Sequence, residues 1–301
     1  MIPVFTHPDC LRHDPGPDHP ETPARLRVLL ERARRDVTAD VIEAPGAPLD
    51  ALRAVHPDSY LRSLEAMSAR GGGALFLDTI LNDASWAAAV GAAGALLAAV
   101  NHAHAGRGNA FAAARPPGHH ALAGKGMGFC LLNNVVIGAR HAQRAGRERV
   151  LIVDWDVHHG NGTQALMERD PSLRYVSLHQ HPWYPGTGMA EERGVGNVFN
   201  VPRGPGRPAS MYVEDLWSAI VAATEAWSPE LVLVSAGFDA MAGDPLGGFT
   251  LEMDDIDRLT REMVSRAEQW CGGRLVSSLE GGYAPDRLGE ACVVHMRGLA
   301  E

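Results

Sequence analysis

The chain has 301 residues, 46% apolar and 21% charged, an ordinary make-up for a soluble globular protein long enough to bury a core without covalent staples. Its 27 basic against 36 acidic side chains leave a net charge of −9, which argues against the basic footprint of a nucleic-acid binder and mildly favours cationic partners through steering. Four scattered cysteines, Cys10, Cys130, Cys271 and Cys292, form no CxxC pair, so a disulfide framework or cysteine metal site is not expected, and buried thiols in a reducing cytoplasm are.

In chain order, the start MIPVFTHPDC lacks the basic and apolar regions of a signal peptide. Ile2–Phe5 reads as a strand. Thr22 as N-cap and Pro23 at the first helical position open a helix through ARLRVLLERARR. Val41–Glu43 is a second strand, and a helix begins near Asp58. Gly71-Gly72-Gly73 reads as a flexible loop. The alanine-dominated stretch from Ala84 to Val100 reads as a buried helix rather than a membrane span. Then follow strand Ala110–Ala114, helix Leu132–Arg144, strand Val150–Val153, helix Gln164–Glu168, strands Tyr175–Leu178 and Val198–Val201, and helix Met211–Ala226. Strand Leu231–Ser235, helix Asp254–Cys271, strand Leu275–Leu279 and helix Arg287–Arg297 complete the series. Short apolar runs alternating with helices predict an α/β fold with a mostly parallel sheet covered on both faces. With no repeat and no linker, one domain over residues 1–301 is the simpler reading.

Five segments break the apolar pattern: Arg115-Pro116-Pro117-Gly118-His119-His120, Asp154 to Gly160, Ser177 to His181, Ala236 to Asp239, and Glu280 to Tyr283. Each closes or follows a predicted strand. Loops at the carboxyl ends of parallel strands converge on one crevice. Asp156 and His158 are separated by one residue at a strand end, where alternate residues can face the same side and meet one ion, and Asp239 is the best-placed third ligand. Two oxygens and a nitrogen leave a fourth position open, as in a catalytic zinc site with bonds of roughly 2.0–2.2 Å. Iron(II) also suits such a donor set. The plain alternative is a helix N-cap at Asp156 beside a hydrogen-bonded loop histidine.

Histidine titrates near the working pH, so His119 and His120 can take a proton from water and return one to a leaving amine. Asp154 and Asn161 are candidates to fix the imidazole tautomers. Gly281-Gly282 lets the backbone turn tightly before Tyr283, whose phenol could stabilise an oxyanion; read alone, Tyr283 is an ordinary turn residue.

Together RPPGHHA, MGFCLLNNV, DWDVHHGNGT, SLHQH, GFDA, DPLGG and EGGY resemble the histone deacetylase superfamily, nearest its class II and bacterial acetylpolyamine amidohydrolase-like branch, from about Thr6 to about Cys292. The resemblance implies a single three-layer α/β domain with an eight-stranded, mostly parallel sheet, the arginase/deacetylase fold. It implies a zinc-dependent deacetylase that removes an acetyl or similar acyl group from an acylated lysine or small acylated amine by metal-activated water. Asp156, His158 and Asp239 match its zinc ligands. His120 matches its general base and acid, and His119 the electrostatic partner backed by Asp154. Tyr283 matches the carbonyl-polarising tyrosine. Gly128 matches a substrate-amide acceptor, Phe129 and Tyr184 the acyl-tunnel walls, Leu246 a rim position, and Arg25 the arginine of the acetate exit path. Asp154 and Ser177 resemble ligands of a structural potassium ion. Asp78, or alternatively Asp83, is the candidate for a rim aspartate that grips substrate.

Leu246 stands where polyamine-selective relatives carry Glu, which puts that mode of polyamine recognition in doubt. The short segment after EGGY suggests no second domain. Against the deacetylase stand an acetylpolyamine amidohydrolase, a non-catalytic acyl-amine binding module, which Tyr283 and both histidines disfavour, and a two-manganese ureohydrolase, which would need more bridging carboxylates than His158-His159-Gly160 supplies.

Overall fold

The eight apolar runs are the eight strands of one sheet. The computed structural model describes residues 1–36 and 38–301. Its strands are β1 (Ile2–Thr6), β2 (Ala39–Glu43), β3 (Gly72–Phe76), β4 (Thr79–Asn82), β5 (Ala110–Ala112), β6 (Val150–Asp154), β7 (Leu173–Gln180), β8 (Val198–Arg203), β9 (Leu231–Ala236) and β10 (Leu275–Leu279). Its α-helices are α1 (Pro23–Ala33), α2 (Leu49–Leu52), α3 (Asp58–Ala69), α4 (Ser85–His104), α5 (Asn134–Arg144), α6 (Asn161–Met167), α7 (Ala209–Thr224), α8 (Met253–Cys271) and α9 (Pro285–Leu299).

The sheet runs β2-β1-β5-β10-β9-β6-β7-β8 with every pairing parallel. Helices α4 and α5 cover one face, and α1, α7, α8 and α9 the other. β6, β9 and β10 are buried at every position because both faces are covered, which is why they read as unbroken apolar runs rather than alternating ones. α4 is apolar all round for the same reason: 67% of its most apolar window is buried inside the fold.

The topology builds the site. After β5 the chain skips two sheet positions to β6, and β9 and β10 later fill the gap. The strand order reverses here, and the carboxyl ends of β5, β10, β9 and β6 lie side by side. In register, Asp154 pairs with Ser235 on one side and Ser177 on the other, and Leu279 pairs with Ala236. The four motif loops after these strands therefore share one crevice.

One expectation needs correction. Gly72 and Gly73 are not a loop but the start of β3, which pairs antiparallel with β4 as a hairpin outside the main sheet. At Gly72 (φ +91°) the partner strand approaches so closely that a Cβ would lie 2.0 Å from the Leu81 carbonyl oxygen. Glycines give no alternation to read, which hid the strand. Thr22 is the N-cap of α1 and Pro23 its first residue, as expected, with extended backbone at Thr22 and no hydrogen bond from its hydroxyl.

Candidate active site

β6 ends at Asp154, which organises the first layer. Its Oδ2 accepts the Tyr175 hydroxyl at 2.8 Å and lies 3.1 Å from His119 Nδ1, while Oδ1 accepts the Asp156 amide at 3.2 Å. These groups fit only because residue 160 is glycine, where a Cβ would stand 2.4 Å from Tyr175 Oη and 2.5 Å from Asp154 Oδ2. Asp154 and Ser177 are register partners on β6 and β7, and Ser177 Oγ lies 2.9 Å from His179 Nδ1.

Asp156 and His158 lie in the loop past β6, with Val157 between them turned into the core. Strand alternation therefore does not bring them together; the loop does, through the His158 amide donating to Asp156 Oδ1 at 2.9 Å. Ligand atoms of Asp156, His158 and Asp239 lie within 4.8 Å of one another, all buried. His158 Nδ1 is 3.0 Å from Asp156 Oδ1 and 3.2 Å from Asp239 Oδ2. The outer oxygens are held from behind: Val157 N–H donates to Asp239 Oδ1 at 2.9 Å and Gly281 N–H to Asp156 Oδ2 at 2.8 Å. A Cβ at Gly281 would stand 1.9 Å from Asp239 Oδ2, so only glycine admits that loop.

The electrostatics call for a cation. Burial and the Asp156 charge push the Asp239 carboxyl up to about 7. Burial would lower the His158 imidazolium, yet hydrogen bonds and charge from Asp156 and Asp239 raise it to about 10. Asp239 Oδ2 is buried and has no well-formed hydrogen bond among the described residues. Two crowded carboxylates and an imidazole with an unpartnered oxygen fit a divalent ion.

The two histidines next door differ. Burial would lower His119, but Asp156 and Asp154 outweigh it and raise it to about 10. His120 Nδ1 lies 2.8 Å from Asn161 Oδ1, an amide rather than a carboxylate. Burial and the positive fields of His119 and His158 hold His120 well below the ordinary histidine range. The rings are 4.0 Å apart. Glu280, not singled out from sequence, ties the loops together: its Oε2 accepts the Gly118 and His119 amides at 2.7 and 3.2 Å. It is the first residue of the EGGY segment, which was the available signal.

Above the triad is a cavity of about 200 Å³ lined by His120, Gly128, Phe129, His158, Tyr184, Leu246 and Tyr283, with Asp78 and Trp183 also on its wall. Phe129 meets Tyr283 edge-on at 5.7 Å, and Tyr184 meets His120 at 5.1 Å. Burial pushes the Tyr283 phenol well above its usual range, so it is a neutral donor. Its amide donates to Asp244 Oδ2 at 2.6 Å, and Asp244 Oδ1 accepts the Leu246 amide at 2.9 Å. Asp244 thus joins Tyr283 to the rim, a role its place in DPLGG did not suggest. Trp183, which no sequence signal marked, donates its indole N–H to the Leu246 carbonyl at 2.8 Å.

Of the rim candidates, Asp78 lies on the cavity wall; Asp83 is exposed, and its carbonyl accepts the Ser68 hydroxyl at 2.9 Å. Gly128 (φ 55°) and Phe129 (φ 67°) are consecutive left-handed residues, a conformation costing a phenylalanine about 1–2 kcal/mol. Arg25 is not on the cavity wall. It is fully buried behind Tyr283, its guanidinium 4.7 Å from the ring, donating to Gly282 O, Glu280 O and Glu21 Oε1. Glu21 also receives Arg115 through Nε at 2.8 Å and Nη2 at 2.5 Å.

Residues 19–299 match the histone deacetylase domain. A histone deacetylase-like amidohydrolase of Pseudomonas aeruginosa is 39% identical over 274 residues, covering 89% of this chain and 72% of that one. A probable deacetylase of Archaeoglobus fulgidus is 36% identical over 294 residues, covering 93% and 81%. The crystal structure of the HDA15 HD domain superposes with a TM-score of 0.92 at 36% identity, covering 98% of this chain and 90% of that one. With a parallel sheet whose following loops gather an Asp–His–Asp cluster, a histidine pair and a tyrosine, this chain belongs to the histone deacetylase family.

Proposed function

We propose that this chain is a zinc-dependent deacetylase, a single catalytic domain acting on an acylated lysine or small acylated amine. The observation that carries the reading is the buried Asp156–His158–Asp239 cluster, whose His158 lines the cavity together with His120 and Tyr283. Asp156, His158 and Asp239 hold the ion, which when bound supplies Lewis acidity to the acyl carbonyl and to water. His120 donates Nδ1–H to Asn161, keeps its Nε2 lone pair free, and accepts a proton from the attacking water. Its neutrality is supported by burial and the neighbouring positive charge; a divalent ion in place of the proton on His158 pushes the same way. His119, its Nδ1 3.1 Å from Asp154 Oδ2, stabilises negative charge in the transition state, and the histidine pair returns a proton to the leaving amine. Tyr283 donates to the developing oxyanion.

The cavity of about 200 Å³ admits a thin linear chain rather than a ligand of drug size, which needs roughly 300 Å³ or more. Phe129 and Tyr184 flank the chain, and Leu246 lies at the rim. Arg25 fixes Tyr283 from behind and borders the product side. Asp154 and Ser177 are proposed to share a structural potassium ion, and the protein to act in the cytoplasm.

The test is a competitive screen of zinc-loaded protein on acetyl-lysine peptides, N-acetylputrescine and N-acetylspermidine, with His120→Ala as control. Release above the control on peptides supports the reading. Preference for the acetylpolyamines moves the substrate class, and no release on any of them favours a binding module.

A further inference from the structure

We propose that Thr79 and Asp78, at the tip of the β3–β4 hairpin, are positioning residues that hold the Gly128–Phe129 tunnel wall in its left-handed backbone. This rests on the reading of the cavity as an acyl tunnel. The amides of both left-handed residues face the hairpin rather than a partner in their own loop. Two hairpin oxygens accept them. Gly128 N–H donates to Asp78 Oδ1 at 3.2 Å and Phe129 N–H donates to Thr79 Oγ1 at 3.1 Å. The Thr79 hydroxyl donates in turn to Asp78 Oδ1 at 2.9 Å, so one hydrogen-bond chain closes the tip.

The clamp is built, not incidental. Thr79 is 1% exposed, although its neighbour Leu77 is 92% exposed. His19 braces it from outside: its Nε2 lies 2.9 Å from the Asp78 carbonyl oxygen, and its ring meets Phe129 edge-on at 4.7 Å. What the clamp holds is the tunnel. A Cβ at Gly128 would lie 2.3 Å from His120 Cδ2, so this backbone sets the gap beside the proposed base. Phe129 in turn packs edge-on against Tyr283. A strained aromatic wall persists only when its surroundings over-determine it, and the hairpin supplies that determination from outside the main sheet. The wall's position thus depends on an excursion that carries no proposed metal ligand or proton-transfer group.

The test compares Thr79→Val, which keeps shape and removes the acceptor, with Thr79→Ser, which keeps it. Amide hydrogen exchange of residues 126–131 and kcat/KM are read on an acetyl-lysine peptide and on N-butylacetamide, which fills the tunnel but has no group to reach the rim. The clamp predicts faster exchange in Thr79→Val and a drop of about tenfold in kcat/KM on both substrates, since small misplacements of positioning groups are costly. Thr79→Ser should restore both, with zinc content and melting temperature unchanged across the set. Unchanged exchange together with a loss on the peptide alone would overturn the proposal, making Thr79 a substrate-gripping residue instead. If wild type turns over neither substrate but exchange still accelerates in Thr79→Val, the clamp stands and the deacetylase reading fails.

Discussion

Two buried charged clusters sit at the same end of the sheet and solve burial in opposite ways. In one, Glu21 faces Arg25 and Arg115, and the guanidinium groups spend their remaining hydrogen bonds on the carbonyls of Cys10, His13, Glu21, Glu280 and Gly282. In the other, Asp156 and Asp239 crowd one imidazole and leave Asp239 Oδ2 without a well-formed hydrogen bond among the described residues. The first is closed by the chain's own groups. The second is closed only by something brought in. Ionised groups persist in an interior when paired, so the open cluster is the one that fits a bound cation, while the closed one is complete in itself.

The largest effect should come from opening the metal cluster further. Asp239→Ala should lose zinc, read by metal analysis, and with it all turnover; full activity there would refute the ligand assignment. The closed cluster should fail differently. Glu21→Gln leaves two buried guanidinium groups under-compensated, and denaturant unfolding should show a loss of about 3–5 kcal/mol. Metal-stripped Asp239→Asn should show no such loss, because it relieves a crowded carboxylate and keeps an acceptor for Val157 N–H. Equal losses in the two variants would erase the contrast.

Tyr283→Phe comes next: zinc should stay while kcat falls roughly 10²–10³-fold, the cost of one oxyanion donor. An unchanged rate would remove the phenol from the reaction.

The smallest effect concerns a third buried polar group. His295 is fully buried, bonded to Thr260 Oγ1 at 2.7 Å and Ser277 Oγ at 2.8 Å, with no charge beside it, and burial lowers it to about 3. The folded protein thus binds this proton less readily than the unfolded chain, whose histidine titrates near 6.5. The neutral form's contribution is complete above that value and is lost as pH falls below it. Between pH 7 and 5 the loss should be about 2 kcal/mol at this residue. His295→Gln should flatten the slope of stability against pH in that window, and an unchanged slope would mean that His295 charges inside the fold.

Much of this was legible in the sequence. Eight strands could be placed because buried parallel strands are continuous apolar runs, and the interruptions between them named the site. His119, His120, Asp154, Asp156, His158, Asp239 and Tyr283 do converge, because loops after adjacent strands have nowhere else to go. The β3–β4 hairpin was hidden because its glycines and exposed faces carry no period. Asp244, Glu280 and Thr79 were missed because each acts through backbone amides of another loop, and such contacts leave no spacing to read. The resemblance puts Arg25 on the acetate exit path; that it lies buried against Tyr283 and pairs with Glu21 is something that only packing reveals.

The central claim is that one divalent ion, held by Asp156, His158 and Asp239, drives amide hydrolysis in this cavity. Acetate release from an acetyl-lysine substrate, followed as chelator-stripped protein is titrated with zinc, tests it most directly. The account predicts no release without metal and full activity at one ion per chain. Release from the stripped protein, or a requirement for two ions per chain, would contradict it.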